Sequence, residues 1–190
     1  MGAAAEQFLS DGYLGTSIDK VAVRAGVARQ TVYEHFGGKE QLFTEVMHQT
    51  IDEVGRAFFD RISGLEETSD LEASLMEIAR ALIAVAIEPR LLDLRRLVIG
   101  EVGRFPSLGR AYYDRGPGRT VEVLAEKFKE LGDRTVLRLD DVEVAAQQFN
   151  WLVLSIPINR AMFDPEARFS DAEIRRYSRE AVRTFLAAYG

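Results

Sequence analysis

Arg29, Gln30, Thr31 and Tyr33 lie within five residues of one another and carry side chains that can read or grip a duplex. Arginine pairs bidentately with guanine and glutamine with adenine, while threonine and tyrosine hydroxyls reach phosphate. Such chemistry needs elements that hold these side chains outward. Thr16 and Ser17 offer oxygens that can cap a helix N-terminus, and Ile18, Val21, Ala22 and Ala25 then share one apolar face. Gly26 follows, a residue that ends a helix in the left-handed conformation without steric cost. Val27 opens the next segment, Val32 and Phe36 continue its apolar face, and the four polar residues fall off that face. Gly37-Gly38 stops this helix and Lys39 opens another. The layout is a helix-turn-helix, whose second helix fits a major groove. Ala25, Gly26 and Ala28 would also suit a helical hairpin that merely packs, but a packing helix has no need of the outward polar set.

The ordered set Gly12-Tyr13, Thr16-Ser17, Val21-Ala22, Ala25-Gly26-Val27, Thr31-Val32-Tyr33, His35-Phe36 and Lys39-Glu40 resembles the DNA-binding head of the TetR-type family, bacterial one-component repressors related to the tetracycline repressor. The resemblance covers residues 3–47. Further on, Leu94-Arg95-Arg96-Leu97-Val98-Ile99-Gly100-Glu101, through Phe105-Pro106 to Gly116-Pro117, is similar to the ligand domain of an AefR-like branch. What the resemblance implies is an all-α protein of about nine helices. A three-helix helix-turn-helix head over residues 1–47 is joined by a long helix to a ligand-binding and dimerisation bundle over residues 48–190. It implies a homodimer on a double-stranded DNA operator, a small-molecule effector, no cofactor, and regulation of transcription, most often as a repressor. Carried over position by position, Thr16, Thr31, Tyr33, His35 and Lys39 match positions that commonly approach the DNA backbone, Arg29 and Gln30 sit where base contacts are usual, and Ser17 is a further DNA-contact candidate.

The rest of the chain is helical in period nearly throughout, with no run of alternating β-branched residues bounded by turns. A first helix spans residues 3–11 and ends at Gly12; the long helix runs from Lys39 to about Ile62. Leu71 to Ile87 is apolar on most sides, and Arg90 to Val102 follows Pro89. Ser107 to Leu131 is helical but must be kinked or interrupted at Gly116-Pro117-Gly118. Asp140-Asp141 open a helix to Phe163 that should bend at Pro157, and Ser170-Asp171 cap the last one, Ala172 to Tyr189. Among the central helices, Phe59, Leu82, Ile99, Tyr112, Tyr113, Phe149 and Leu152 with Arg95 are candidates to line an effector pocket, an apolar cavity with few polar groups. Aromatic residues at helical spacing are more often plain core. Val153, Ile156, Ile174, Tyr177, Val182 and Phe185 are candidates for a two-fold interface of the last two helices, the alternative being a helix buried inside one protomer.

Composition bounds the remaining classes. The chain has 190 residues, 47% hydrophobic and 28% charged, with no cysteine and two histidines, so a disulfide scaffold, a thiol sensor and a transition-metal site lack material. No apolar stretch approaches the ~20 residues that span a bilayer, and Met1-Gly2-Ala3 runs into an amphipathic helix rather than a signal peptide, which points to the cytoplasm. There is no Gly-x-Ser-x-Gly elbow, phosphate loop or His-Glu-x-x-His, so catalysis is not expected. One observation pulls the other way. The net charge is −6, and residues 1–47 hold four basic against six acidic side chains, where a DNA-binding head usually shows a basic footprint. That balance supports an alternative, a small-molecule-binding or scaffold protein with weak or no specific DNA binding. Members of the family commonly carry a basic arm before the first helix. This sequence reaches the helix directly, which leaves either a longer native chain or weaker binding without the arm.

Overall fold

The computed structural model describes residues 1–63, 70–133 and 137–190, and every regular element among them is helical. None of these helices is long and apolar enough to cross a membrane. The residues form two compact units.

One unit comprises Met1–Glu53 and Asp93–Gly116. It holds α1 (Gly2–Gly15), α2 (Ile18–Ala25), α3 (Arg29–Phe36), the first part of α4 (Lys39–Ser63), most of α6 (Pro89–Glu101) and α7 (Pro106–Tyr113). As the sequence predicts, Gly12 leaves helical geometry, at φ 72° and ψ 172°; beyond this kink a short helical stretch continues to Gly15. The added turn delivers Tyr13 to the core. There Phe43 meets Phe8 edge-on at 4.8 Å and Tyr13 at 5.2 Å, and Phe105 closes on Tyr13 at 4.8 Å. Edge-to-face packing of this kind fixes ring orientation as well as burying area. Ser107 donates to Glu40 Oε1 at 2.7 Å, and Arg115 forks onto the Asp52 carboxylate at 2.9 and 2.6 Å. These contacts explain why residues 93–116 join the first 53, a grouping that chain order alone does not give.

The other unit comprises Val54–Leu92 and Pro117–Gly190. The end of α4 packs there with α5 (Leu71–Ala86), α8 (Arg119–Gly132), α9 (Val142–Phe163) and α10 (Asp171–Tyr189). Phe128, Phe149 and Phe185 are fully buried and meet one another at 5.1 to 5.2 Å. The period of α5 is apolar on most sides because it packs on both α9 and α10. The expected interruption at Gly116-Pro117-Gly118 is a π-helical turn, Asp114–Gly118. Pro117 has no N–H and its ring crowds the carbonyl four residues back, so the ladder widens by one residue instead of breaking. Since α7 and α8 continue through this turn, the described residues make nine helical runs. α9 runs unbroken through Pro157.

Side-chain caps set where these helices begin. The Asp70 carboxylate accepts from Ala73 N at 3.0 Å, and Asp141 accepts from Glu143 N and Val144 N at 3.1 and 3.0 Å. At α10, Ser170 Oγ accepts from Glu173 N at 3.3 Å while the Glu173 carboxylate accepts from Ser170 N at 2.9 Å, a capping box. The Ser170 amide and hydroxyl, with Arg160 at 2.9 Å, hold the Glu173 carboxyl at about 2, below the ordinary 4.5. A carboxyl lowered on folding contributes stability above its unfolded pKa and loses it as pH falls through the folded one. Glu173→Gln should lower stability at neutral pH and flatten the acid limb between pH 4.5 and about 2, as read by urea unfolding across a pH series.

Candidate nucleic-acid interface

The two helices of the reading motif are set by their ends. Ser17 caps α2, its hydroxyl accepting from Lys20 N at 3.2 Å. Gly26 ends α2 at φ 68°, and Val27 N returns to Ala22 O at 3.1 Å, the signature of a left-handed helix stop. Any side chain at Gly26 would be strained, so this glycine aims α3. Gly37 ends α3 in the same conformation. Within α3 only Val32 is buried, whereas Arg29, Gln30, Thr31, Tyr33 and His35 are exposed on its surface. Five of the expected DNA-contact residues therefore stand together on one short helix.

Several of these side chains already have partners within the head. Arg29 Nε lies 3.1 Å from Asp19 Oδ1, and its guanidinium carbon sits 5.2 Å from the centre of the Tyr33 ring. Gln30 Nε2 donates to Glu34 Oε1 at 3.0 Å. The His35 ring lies 5.9 Å from that of Phe36.

The remaining expected residues are placed differently. Thr16 is 2% exposed. Its hydroxyl shares a proton between the carbonyls of Gly12 at 2.8 Å and Gln7 at 3.1 Å, so the side chain is structural rather than available to phosphate. Ser17 spends its hydroxyl on the α2 cap. The Lys39 ammonium donates to Thr16 O at 2.9 Å and lies 4.6 Å from the centre of the Tyr13 ring. Burial pushes the Lys39 ammonium below its ordinary value, against the pull of Glu101. Sequence reasoning missed the partners Tyr13 and Asp19. The signal for Asp19 was present: an acid in the first turn of α2 faces a helix start ten residues on, across a glycine turn.

Residues 1–46 match the model of the bacterial regulatory proteins of the tetR family, and residues 73–190 match that of the AefR-like transcriptional repressor C-terminal domain. The chain belongs to the tetR family. A TetR-family regulator structure from Mesorhizobium loti MAFF303099 is similar at TM-score 0.91 and 41% identity, over 100% of this chain and 94% of that one. The flavonoid-responsive regulator FrrA is similar at TM-score 0.85 and 28% identity, over 99% and 93%. A stretch of 50 residues, 26% of this chain, is 38% identical to the transcriptional activator FasR of Mycolicibacterium smegmatis and spans 23% of that protein's length. TetR-family members are transcriptional regulators rather than enzymes; they bind DNA operators and work as dimers.

In this TetR-family chain the eight pocket candidates divide between the two units. Arg95, Ile99, Tyr112 and Tyr113 belong to the first, and Phe59, Leu82, Phe149 and Leu152 to the second. Ile99 and Tyr113 are 58% and 60% exposed, while Leu82 and Phe149 are closed in the core. Phe59 packs on Phe58 at 5.3 Å. One pair is brought together: the Arg95 guanidinium carbon lies 5.9 Å from the centre of the Tyr112 ring. Burial raises the Tyr112 phenol, with Arg95 opposing.

The interface candidates also divide. Val182 and Phe185 are core residues of the protomer, because the centre of the wide α10 stripe faces α5 and α9. Val153 is buried too and floors a shallow groove of about 150 Å³. Leu152, Ile156, Pro157 and Tyr177 line that groove, and Ile174 is half-buried beyond it.

Thr16 and Gln30 should separate by function. Thr16→Val leaves buried carbonyls short of a donor and should destabilise the head by about 1–3 kcal/mol, seen as faster amide exchange in α1 and α2. Gln30→Ala should leave exchange unchanged and cost roughly 1–3 kcal/mol on a duplex selected by the wild-type protein, with little loss on random DNA.

Proposed function

We propose that the protein is a homodimeric repressor released from its operator by a small, flat, hydrophobic molecule with at most one acidic group. The observation that carries the effector reading is Arg95. Its neighbour Arg96 is tied to Asp93 at 2.7 Å. Arg95 is half-buried, and among the described residues no carboxylate pairs with it. A guanidinium partly removed from water and resting on an aromatic ring is suited to an anionic, planar ligand. FrrA is by name responsive to flavonoids, which have that shape and carry acidic phenols.

For the assembly, Leu152 and Ile156, which line the groove, and Trp151 leave large apolar surface on α9 exposed. Exposed apolar patches of this kind mark association sites. We assign it to the contact between two copies, which would present two copies of α3 to two half-sites. The switch follows from chain continuity. α4 begins directly after the reading motif and ends among the residues of the second unit, so a ligand that shifts it changes the spacing of the two reading helices.

Linkage sets the scale: a ligand that weakens operator binding a hundredfold must itself bind about 2.7 kcal/mol less well to the DNA-bound form. The test uses a hydroxylated flavone as probe and fluorescence anisotropy of a duplex selected from a random pool. The flavone should release the wild-type protein. Arg95→Gln should need roughly tenfold more flavone, and Arg96→Gln should behave as wild type. Equal responses of the two variants would overturn the role given to Arg95. No release by flavones, aryl carboxylates or fatty acids would overturn the effector reading.

A further inference from the structure

The head binds DNA with the wrong net charge, and the structure shows where its cations are spent. Lys20 Nζ meets Asp11 Oδ2 at 2.7 Å, Arg24 meets Glu6 Oε2 at 3.2 Å and Arg29 meets Asp19 Oδ1 at 3.1 Å. Lys39 is turned to Thr16 O and the Tyr13 ring. Every lysine and arginine of residues 1–47 is thus engaged by groups of the head itself.

The Arg29 pair differs from the others in position. Asp19 stands in the first turn of α2 and Arg29 is the first residue of α3, so the pair spans the helix-turn-helix turn at the reading surface. Both side chains remain open to solvent, at 61% and 62%. Asp19 takes one side of the guanidinium, and a remaining amine reaches the Tyr33 hydroxyl at 3.4 Å. A second carboxylate, Glu34, holds Gln30 on the same helix.

These acids act differently on the two kinds of DNA contact. A guanine edge is neutral, so Arg29 can donate to it while Asp19 stays in place and fixes the direction of the fork. A phosphate is an anion that must displace Asp19 and is repelled by it. Non-specific affinity is almost wholly phosphate neutralisation with counterion release, so a cation already neutralised contributes little to it. We propose that Asp19 is a specificity-determining residue: it holds Arg29 for a base edge, denies it to phosphates, and thereby lowers binding to random duplex. The inference rests on the DNA binding of the family and is independent of the effector.

The experiment uses the full chain, a random-sequence duplex and a duplex selected from a random pool by the wild-type protein, over a salt series. Asp19→Asn should bind random duplex roughly fivefold or more tightly at low salt, with a slope of log K against log salt steeper by about one unit, the signature of one added phosphate contact. Affinity for the selected duplex should change less, so discrimination falls. In an Arg29→Ala background the same substitution should leave the slope on random duplex nearly unchanged, because no guanidinium is released. Thermal unfolding of each variant monitors the head; since loss of fold can only weaken binding, a gain on random duplex is not produced by misfolding. Unchanged or weaker random-duplex binding by Asp19→Asn overturns the proposal, as does an equal gain with and without Arg29.

Discussion

Thr16 stands where three helices of the reading head meet, and its hydrogen bonds hold them in register. Its hydroxyl is shared between carbonyls of α1, at Gln7 and at the break at Gly12, and its own carbonyl receives the Lys39 ammonium from the start of α4. The next residue, Ser17, begins α2. A buried hydroxyl with both neighbours in place stabilises modestly, but left without them it would be costly. That asymmetry makes the junction intolerant of sliding. The Lys39 ammonium also lies against the Tyr13 ring, and the contacts of Tyr13 with Phe43 and Phe105 and of Phe43 with Phe8 extend the constraint from α1 to the α7 start. The direction of α3 follows from this junction together with the left-handed turn at Gly26.

The reading motif was legible in the sequence because its signals are local. Glycines at left-handed positions, caps and a three-four apolar spacing depend on near neighbours, and they located α2, α3 and α4 closely. Roles that depend on tertiary packing were not legible. A threonine hydroxyl suits a phosphate and a carbonyl equally, so nothing local distinguishes Thr16 from Thr31; burial decides, and it comes from α1 and α4. Similarly, the α10 stripe reads as an interface until α5 and α9 are seen to take its centre, leaving Val182 and Phe185 inside. Gly12 and Gly26 were both legible as positive-φ breaks, but the short helical stretch that resumes after Gly12 and carries Tyr13 was not. The grouping of residues 93–116 with the head depends on the Phe105, Ser107 and Arg115 contacts, made across more than sixty residues in the latter two.

Charge ties these observations to function. The acidic balance of the head at first argues against DNA. Three of its four cations are paired one to one with Asp11, Glu6 and Asp19 across the helix connections, so the excess charge rests on the acids outside these pairs. The pairs themselves are exposed, and such pairs are individually weak. On the role proposed for Asp19, a head built this way forgoes part of the indiscriminate attraction of a basic patch and leans on fit in the groove. Two such heads in one dimer compensate, since a second half-site is read at high effective concentration once the first is bound.

The central claim is that α3 of two copies reads two successive faces of the same duplex. Hydroxyl-radical footprinting of the full chain on a duplex selected from a random pool tests it most directly. The account predicts two protected windows centred about 10–10.5 base pairs apart, or an integral number of turns, related by a two-fold axis. A single protected window, or protection spaced by a half turn, would contradict it.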